Sequence, residues 1–289
     1  MALYAFDGTR NEDEEHDSNV LEFFRGYLDA LKNDDPKAER GSLYQKGIAT
    51  RAVTQTGEAV SAALGIGGHR RVREALDRLE NNQEAGDSAI HIVGFSRGAA
   101  LAVSFANEIG HKYPSLVVDF IGVWDIVGQF GLPGRFVNAG HDLRMPPQAQ
   151  RVCHAMALDE TRLLFPLTRL GKLGHADARL IEVWFRGVHS DIGGGNGNRS
   201  LNWIALHWMF ENAQRAGLPI DPTAVAANLA RRVDPPRISD NDIDAGVPRQ
   251  VRAGDLLHAS VQLVPGVPGR PHNNPTVAVR RIDDAGVVA

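Results

Sequence analysis

Gly-Phe-Ser-Arg-Gly at positions 94–98 constrains the fold more than any other stretch of this chain. The apolar run SAIHIVGF (88–95) leads into it and reads as a strand. SRGAALAVSFANEIG follows, and its spacing predicts a helix with small residues on the first turns. A strand that turns sharply through a serine into a helix is a nucleophile elbow, which needs small residues two before and two after the serine. Gly94 and Gly98 meet that need, and Ala99 and Ala100 let the helix pack close to a sheet. Such a turn exposes the Ser96 hydroxyl at the helix N-terminus and faces the Arg97 N–H toward a developing oxyanion. The other reading of Ser96 is an N-cap in an ordinary strand–helix turn.

The rest of the chain repeats the alternation. Apolar runs at 2–7, 88–95, 115–125 and 180–187 read as strands, with shorter ones in SLYQKGIAT and LLHASVQLV. In VLEFFRGYLDALKN, Val20, Phe23, Phe24, Tyr27 and Leu31 share one helical face, and Ser18 or Asn19 can cap it. TQTGEAVSAALG and RRVREALDRLEN read as two helices separated by GIGGH, and SLNWIALHWMFENAQRAG as another. Between 126 and 179 the pattern is mixed, with one amphipathic stretch in AQRVCHAMALDETRLLF. Strand–helix alternation predicts one α/β domain over 1–289, with a mainly parallel sheet, helices on both faces and an irregular C-terminal segment at 225–289. Sites in such sheets lie at the carboxyl ends of the strands. Those ends carry Asp7-Gly8-Thr9, Ser96, Asp125 and His189.

Composition narrows the function classes. The 289 residues carry a net charge of −4 with both signs mixed, and no basic stripe points to nucleic acid. One cysteine, Cys153, leaves no internal disulfide and no multi-cysteine zinc site. No metal or other cofactor is expected. Acidic residues arrive by Glu12, so no secretory signal pattern forms, and no apolar run is long enough to span a bilayer. The expectation is synthesis in the cytoplasm, with export, if any, by a route that reads no such signal.

A serine nucleophile needs a base, and the base an orienting carboxylate. Among 11 histidines, His91 falls in a strand, His154 and His207 in helical stretches, and His16 and His111 in polar loops. His189 follows a strand in GVHSDIGGGN, where three glycines permit a tight loop, and His258 in LLHASV is its rival. For the carboxylate, Asp125 ends the strand after the nucleophile helix, and Asp191 is the alternative. The Asp-Gly-Thr at 7–9 has the look of a phosphatase nucleophile. That chemistry needs a second aspartate two residues from the first, and Ala5 stands there. The stretch reads better as an oxyanion loop, with a backbone N–H of Gly8 or Thr9 as second donor and Asp7 anchoring it. Phe130, Leu132, Phe136, Leu163, Leu164 and Phe165 would line an acyl site if 130–179 forms a cap, with plain core packing as the alternative.

FDGTRN, YQKGIAT, GFSRGAA, FIGVWDIVGQFG, HAMALDETRLLFP and EVWFRGVHSDIGGGN occur in the order found in one family, covering about residues 4–197. The chain resembles the α/β-hydrolase-like family that contains the first class of type VI secretion lipase effectors. That resemblance implies a serine ester hydrolase of phospholipase A type, with Ser96 as nucleophile, Asp125 as carboxylate and His189 as base. A small-ester carboxylesterase and a non-catalytic binding protein of the same fold are the alternatives. It further implies a lipid or other ester substrate, a secretion-apparatus or immunity-protein partner, and delivery into target cells.

Overall fold

The computed structural model describes residues 1–8, 16–34, 41–47, 57–129, 140–195, 200–232, 238, 246–261 and 273–288. Within them runs one eight-stranded sheet, in the order β2-β1-β3-β4-β5-β6-β7-β8. The strands are β1 (Ala2–Phe6), β2 (Leu43–Gln45), β3 (Ile90–Phe95), β4 (Phe120–Trp124), β5 (Val152–Ala157), β6 (Leu180–Phe185), β7 (Leu256–His258) and β8 (Arg280–Ile282). Every neighbouring pair is parallel. The helices are α1 (Asn19–Asp34), α2 (Gly57–Glu84), α3 (Ser96–Lys112), α4 (His189–Gly193), α5 (Asn202–Arg215) and α6 (Pro222–Arg231). The fold is α/β-hydrolase-like.

Burial on both faces explains why the central strands are mostly apolar. Side chains alternate across a strand, so each one feeds two cores. Leu3 and Ala5 of β1, Val93 and Phe95 of β3, and Phe120 and Trp124 of β4 pack with α1 and α5. Tyr4 and Phe6, Ile90 and Ile92, and Ile121 and Val123 pack on the other face with α2 and α3. Phe23 of α1 stacks on Phe210 at 5.3 Å and meets Trp124 edge-on at 6.0 Å, so one aromatic cluster ties helix, helix and sheet together. Ser18 caps α1, its Oγ accepting the Leu21 N–H at 3.1 Å.

Several expectations change here. Within the segment 130–179, β5 runs as a central strand with every residue buried, so that part belongs to the sheet rather than to a cap. The helical spacing of AQRVCHAMA misled, and His154 lies in β5 rather than in a helix. The two helices expected around GIGGH are one continuous α2. A helical glycine costs about 1 kcal/mol, too little to end a helix. Gly68 also has a packing reason: a Cβ there would lie 2.9 Å from His141 Nε2 and 3.0 Å from Leu101 Cδ2. Within the C-terminal stretch, α6, β7 and β8 are regular. Among the described residues no helix is long and apolar enough to cross a membrane.

Two core histidines make acid sensitivity an expected property. His91 shares a 2.9 Å hydrogen bond with the Tyr27 hydroxyl, and His141 one of 2.9 Å with Ser104. Burial pushes each from 6.5 down to about 4. Unfolding lets both take up protons from about pH 6.5 downward, so stability is lost as pH falls from about 6.5 to about 4. Each group contributes a loss on the order of 3 kcal/mol by the lower end. Denaturant unfolding at pH 7, 6 and 5 reads the slope. His91→Gln should flatten it, and an unchanged slope would remove His91 from the account.

Candidate active site

The sheet register assembles the site. Phe6 of β1 stands opposite Gly94, and Phe95 opposite Trp124, so Asp7, Ser96 and Asp125 leave adjacent strand ends side by side. The chain moves from β1 outward to β2 and then back to β3, so β1 and β3 flank the switch point where a crevice opens in such sheets. Gly98 sits so close to β1 that a Cβ would lie 2.3 Å from the Phe6 carbonyl oxygen. One on Gly94 would lie 2.7 Å from Ala99 Cα. Both glycines are therefore demanded by backbone contact.

Ser96 has φ 59° and Asp125 φ 44°, and among the described residues these are the two non-glycine residues with positive φ. Left-handed backbone costs roughly 1–3 kcal/mol at a residue with a side chain, and persists where surroundings over-determine it. The two strained residues meet on one imidazole. His189, at the start of α4, places Nε2 2.8 Å from Ser96 Oγ and Nδ1 2.6 Å from Asp125 Oδ2. Phe95 and Phe165 flank its ring at 4.6 and 4.7 Å between centroids.

Asp125 is fully buried. Burial works to raise its carboxyl pKa, but the Arg249 guanidinium and His189 outweigh that and hold it below the usual carboxylate range. Arg249 grips it with both nitrogens, Nη1 to Oδ1 at 2.6 Å and Nη2 to Oδ2 at 3.0 Å. The Ala157 N–H donates to Oδ1 as well, at 2.8 Å. An ionised Asp125 accepts, so Nδ1 of His189 carries the hydrogen and Nε2 is left to accept from the Ser96 hydroxyl. Burial lowers the His189 pKa below 6.5, partly offset by Asp125. Below Asp125, the Ile126 N–H donates to His154 Nε2 at 3.3 Å, and His154 Nδ1 lies 3.0 Å from Glu182. Glu160, also buried, accepts the His189 backbone N–H at 3.1 Å.

The alternatives sit elsewhere. Asp191 Oδ2 accepts the Val188 N–H at 3.0 Å, inside the turn that starts α4. His258 lies 2.7 Å from Ser260 Oγ and 3.1 Å from Asp284, stacked on Phe185, so the structure does not bring it to Ser96. Asp7 takes the Ser18 hydroxyl at 2.6 Å and that of Tyr44 at 2.5 Å, which anchors its loop to α1 and β2. Gly8 stands against the serine, where a Cβ would lie 3.3 Å from Ser96 Cβ. Its N–H, expected to face an oxyanion, donates here to the adjacent Asp7 Oδ1 at 2.6 Å. Thr9, Phe130, Leu132 and Phe136 lie outside the described residues. Arg97 opens α3, in the turn whose N–H groups point out of the helix end. Of the expected apolar lining, Phe165 touches His189, while Leu163 and Leu164 are 70% and 58% exposed.

Arg249 and Glu160 were not read from the sequence. Each lies in an irregular stretch with no local pattern that points to the site, and only the folded chain brings it there. A cavity of about 440 Å³ opens at the opposite end of the sheet, where Leu180, Leu256 and Arg280 begin their strands. It faces away from Ser96, and ligands in such sheets bind at the carboxyl ends. Among the described residues no cluster of His, Cys, Asp and Glu could hold a metal ion.

Comparison with known proteins bears on this arrangement. A family model described as T6SS, Phospholipase effector Tle1-like, catalytic domain matches residues 3–113 and 106–212. Among solved structures, the chain resembles an uncharacterized protein from Pseudomonas aeruginosa, with 19% identity and a TM-score of 0.54 over 80% of this chain. The match covers 48% of that protein, so this chain spans about half its length. Also similar are a Tle1 effector bound to the VgrG spike of the type 6 secretion system and a thioesterase domain, NocB, in covalent complex with a fluorophosphonate nocardicin G analog. The first is 17% identical, covering 83% of this chain and 81% of that one, with a TM-score of 0.48. The second is 11% identical, covering 81% and 94%, with a TM-score of 0.30. No curated protein matches the chain.

Proposed function

Since this chain belongs to the family of Tle1-like catalytic domains of type VI secretion phospholipase effectors, we propose that it is a serine hydrolase that cleaves an acyl ester of a phospholipid. One observation carries the reading: Ser96, held in left-handed backbone at a strand–helix elbow, is hydrogen-bonded through His189 to a buried carboxylate. That is the arrangement a hydroxyl needs to act as a nucleophile near neutral pH.

In this reading His189 Nε2 takes the proton of Ser96 as Oγ attacks the ester carbonyl. Asp125 keeps the imidazole in the right tautomer and stabilises the imidazolium. The tetrahedral oxygen is held by the Arg97 N–H. A second donor is proposed from the loop that follows β1, where the Gly8 N–H donates to Asp7 in this structure. A donor of this kind is worth about 10²–10³ in rate. His189 then protonates the leaving alcohol, the acyl group stays on Ser96, and water activated by the same base releases it as a carboxylic acid. One α/β-hydrolase-like unit carries every group named. The family description implies a partner in the secretion apparatus and action in a target cell, and both belong to this proposal.

Labelling with a fluorophosphonate probe tests the nucleophile. Wild type should label and Ser96→Ala should not; an inert wild type, or equal labelling of the variant, would sink the hydrolase reading. Phospholipid vesicles and a butyrate ester assayed side by side test the substrate. Turnover of the short ester alone would make the protein a small-ester carboxylesterase.

A further inference from the structure

Arg249 stands outside the residues matched by the family model, in the irregular stretch before β7. It nevertheless reaches the centre of the site, with its side chain 8% exposed. Both of its terminal nitrogens hold Asp125, and each also donates to a carbonyl: Nη1 to Ala157 at 2.8 Å and Nη2 to Phe165 at 2.8 Å. The Asp125 carboxylate thus has four donors counting His189, so no oxygen lone pair is left to pull it out of plane. Phe165 in turn packs its ring on His189. One planar fork therefore fixes the carboxylate and the loop that covers the imidazole at once.

We propose that Arg249 is a positioning residue of this site: its bidentate grip orients Asp125 toward His189, and its charge restrains the basicity of that histidine. The proposal rests on the hydrolase reading for its meaning in catalysis. A carboxylate beside an imidazole makes it a stronger base, and a buried cation on the same carboxylate cancels part of that effect. The result is a histidine that stays neutral, and so able to accept the serine proton, at lower pH than an Asp–His pair alone would allow. The other charged groups around His189 are Glu160, on its backbone N–H and paired with Arg162, and Asp191 in its own helix. The Arg162 cation is paired with Glu160 and lies over the Phe165 ring, so Arg249 is the cation held on the Asp125 carboxylate itself. A lysine cannot replace the fork, since it brings the charge without the paired donors.

The test follows the His189 imidazole by NMR, assigned by its disappearance in His189→Gln, in wild type, Arg249→Met and Arg249→Lys. In Arg249→Met its titration midpoint should rise by about one pH unit, and the acid limb of fluorophosphonate labelling should rise with it. In Arg249→Lys the midpoint should stay near wild type while labelling slows about tenfold, because charge remains and geometry is lost. A midpoint unchanged in Arg249→Met overturns the electrostatic role, and wild-type labelling in Arg249→Lys overturns the positioning role. If Arg249→Met shows no cooperative melting, Arg249→Gln takes its place for the midpoint reading, since it removes the charge and keeps a donor for Asp125. If wild type fails to label while the midpoint still moves, the hydrolase reading falls and the link from Arg249 to His189 stands.

Discussion

Replacing His189 with alanine is expected to lower kcat for ester hydrolysis by about 10⁴–10⁶. The imidazole is the only base within reach of Ser96 Oγ among the described residues, and in the proposed mechanism it both removes the serine proton and returns one to the leaving alcohol. Without it the serine hydroxyl attacks at the reactivity of an ordinary alcohol. Ser96→Ala should fall as far, and the double variant should fall no further, because the two side chains act as one unit. A residual rate well above that of water should remain in all three, since oxyanion donors and substrate binding survive. The fold should survive too. His189 is enclosed by two aromatic rings, and its loss opens a small void costing a few kcal/mol, which a melting curve will register as a shift rather than a collapse. The check is kcat on a chromogenic butyrate ester for the three variants. Losses that multiply in the double variant, or a single variant within about tenfold of wild type, would mean that Ser96 and His189 do not act together.

How far the sequence foretold this site depends on the kind of information each residue carries. Ser96 was legible because a sharp strand–helix elbow imposes requirements on its neighbours: small residues at 94 and 98, an apolar strand before and a helix after. Gly98 records in the sequence a 2.3 Å backbone approach that no other residue allows. Asp125 and His189 were legible by position, since parallel strands deliver their last residues to one edge. β5 was not. Its run, with His154 and Cys153 among alanines, has helical spacing and little β-branching, and it becomes a strand only because β4 and β6 stand ready on either side. Arg249 was illegible for a different reason. A buried ion pair spanning 124 residues of sequence leaves no local pattern at either end. Gly8 shows a third limit: its place beside Ser96 was foreseeable, but the direction of its N–H is decided by a rotamer of Asp7.

Asp125→Asn should damage stability and catalysis together, and the two losses can be separated. An asparagine cannot accept both Arg249 nitrogens, so the variant leaves a cation in the interior without its counter-charge. Breaking a buried pair from one side costs about 3–5 kcal/mol, a fall of roughly 10 °C in Tm for a chain of this size. In kcat the loss should be about 10⁴, because the amide no longer holds the Nδ1–H tautomer of His189. Adding Arg249→Met should restore most of the stability, since an apolar side chain of similar length leaves neither charge behind. It should restore none of the rate, since the tautomer is still not held. The pH dependence carries the same signature. Asp125 is held below its free value in the fold, so its contribution to stability is complete above about pH 4 and fades as the solution is made more acid. Wild type should therefore lose its advantage over the double variant as the pH falls below about 4. A double variant that regains catalysis along with stability would mean that Asp125 serves the fold alone, and that some other group orients His189.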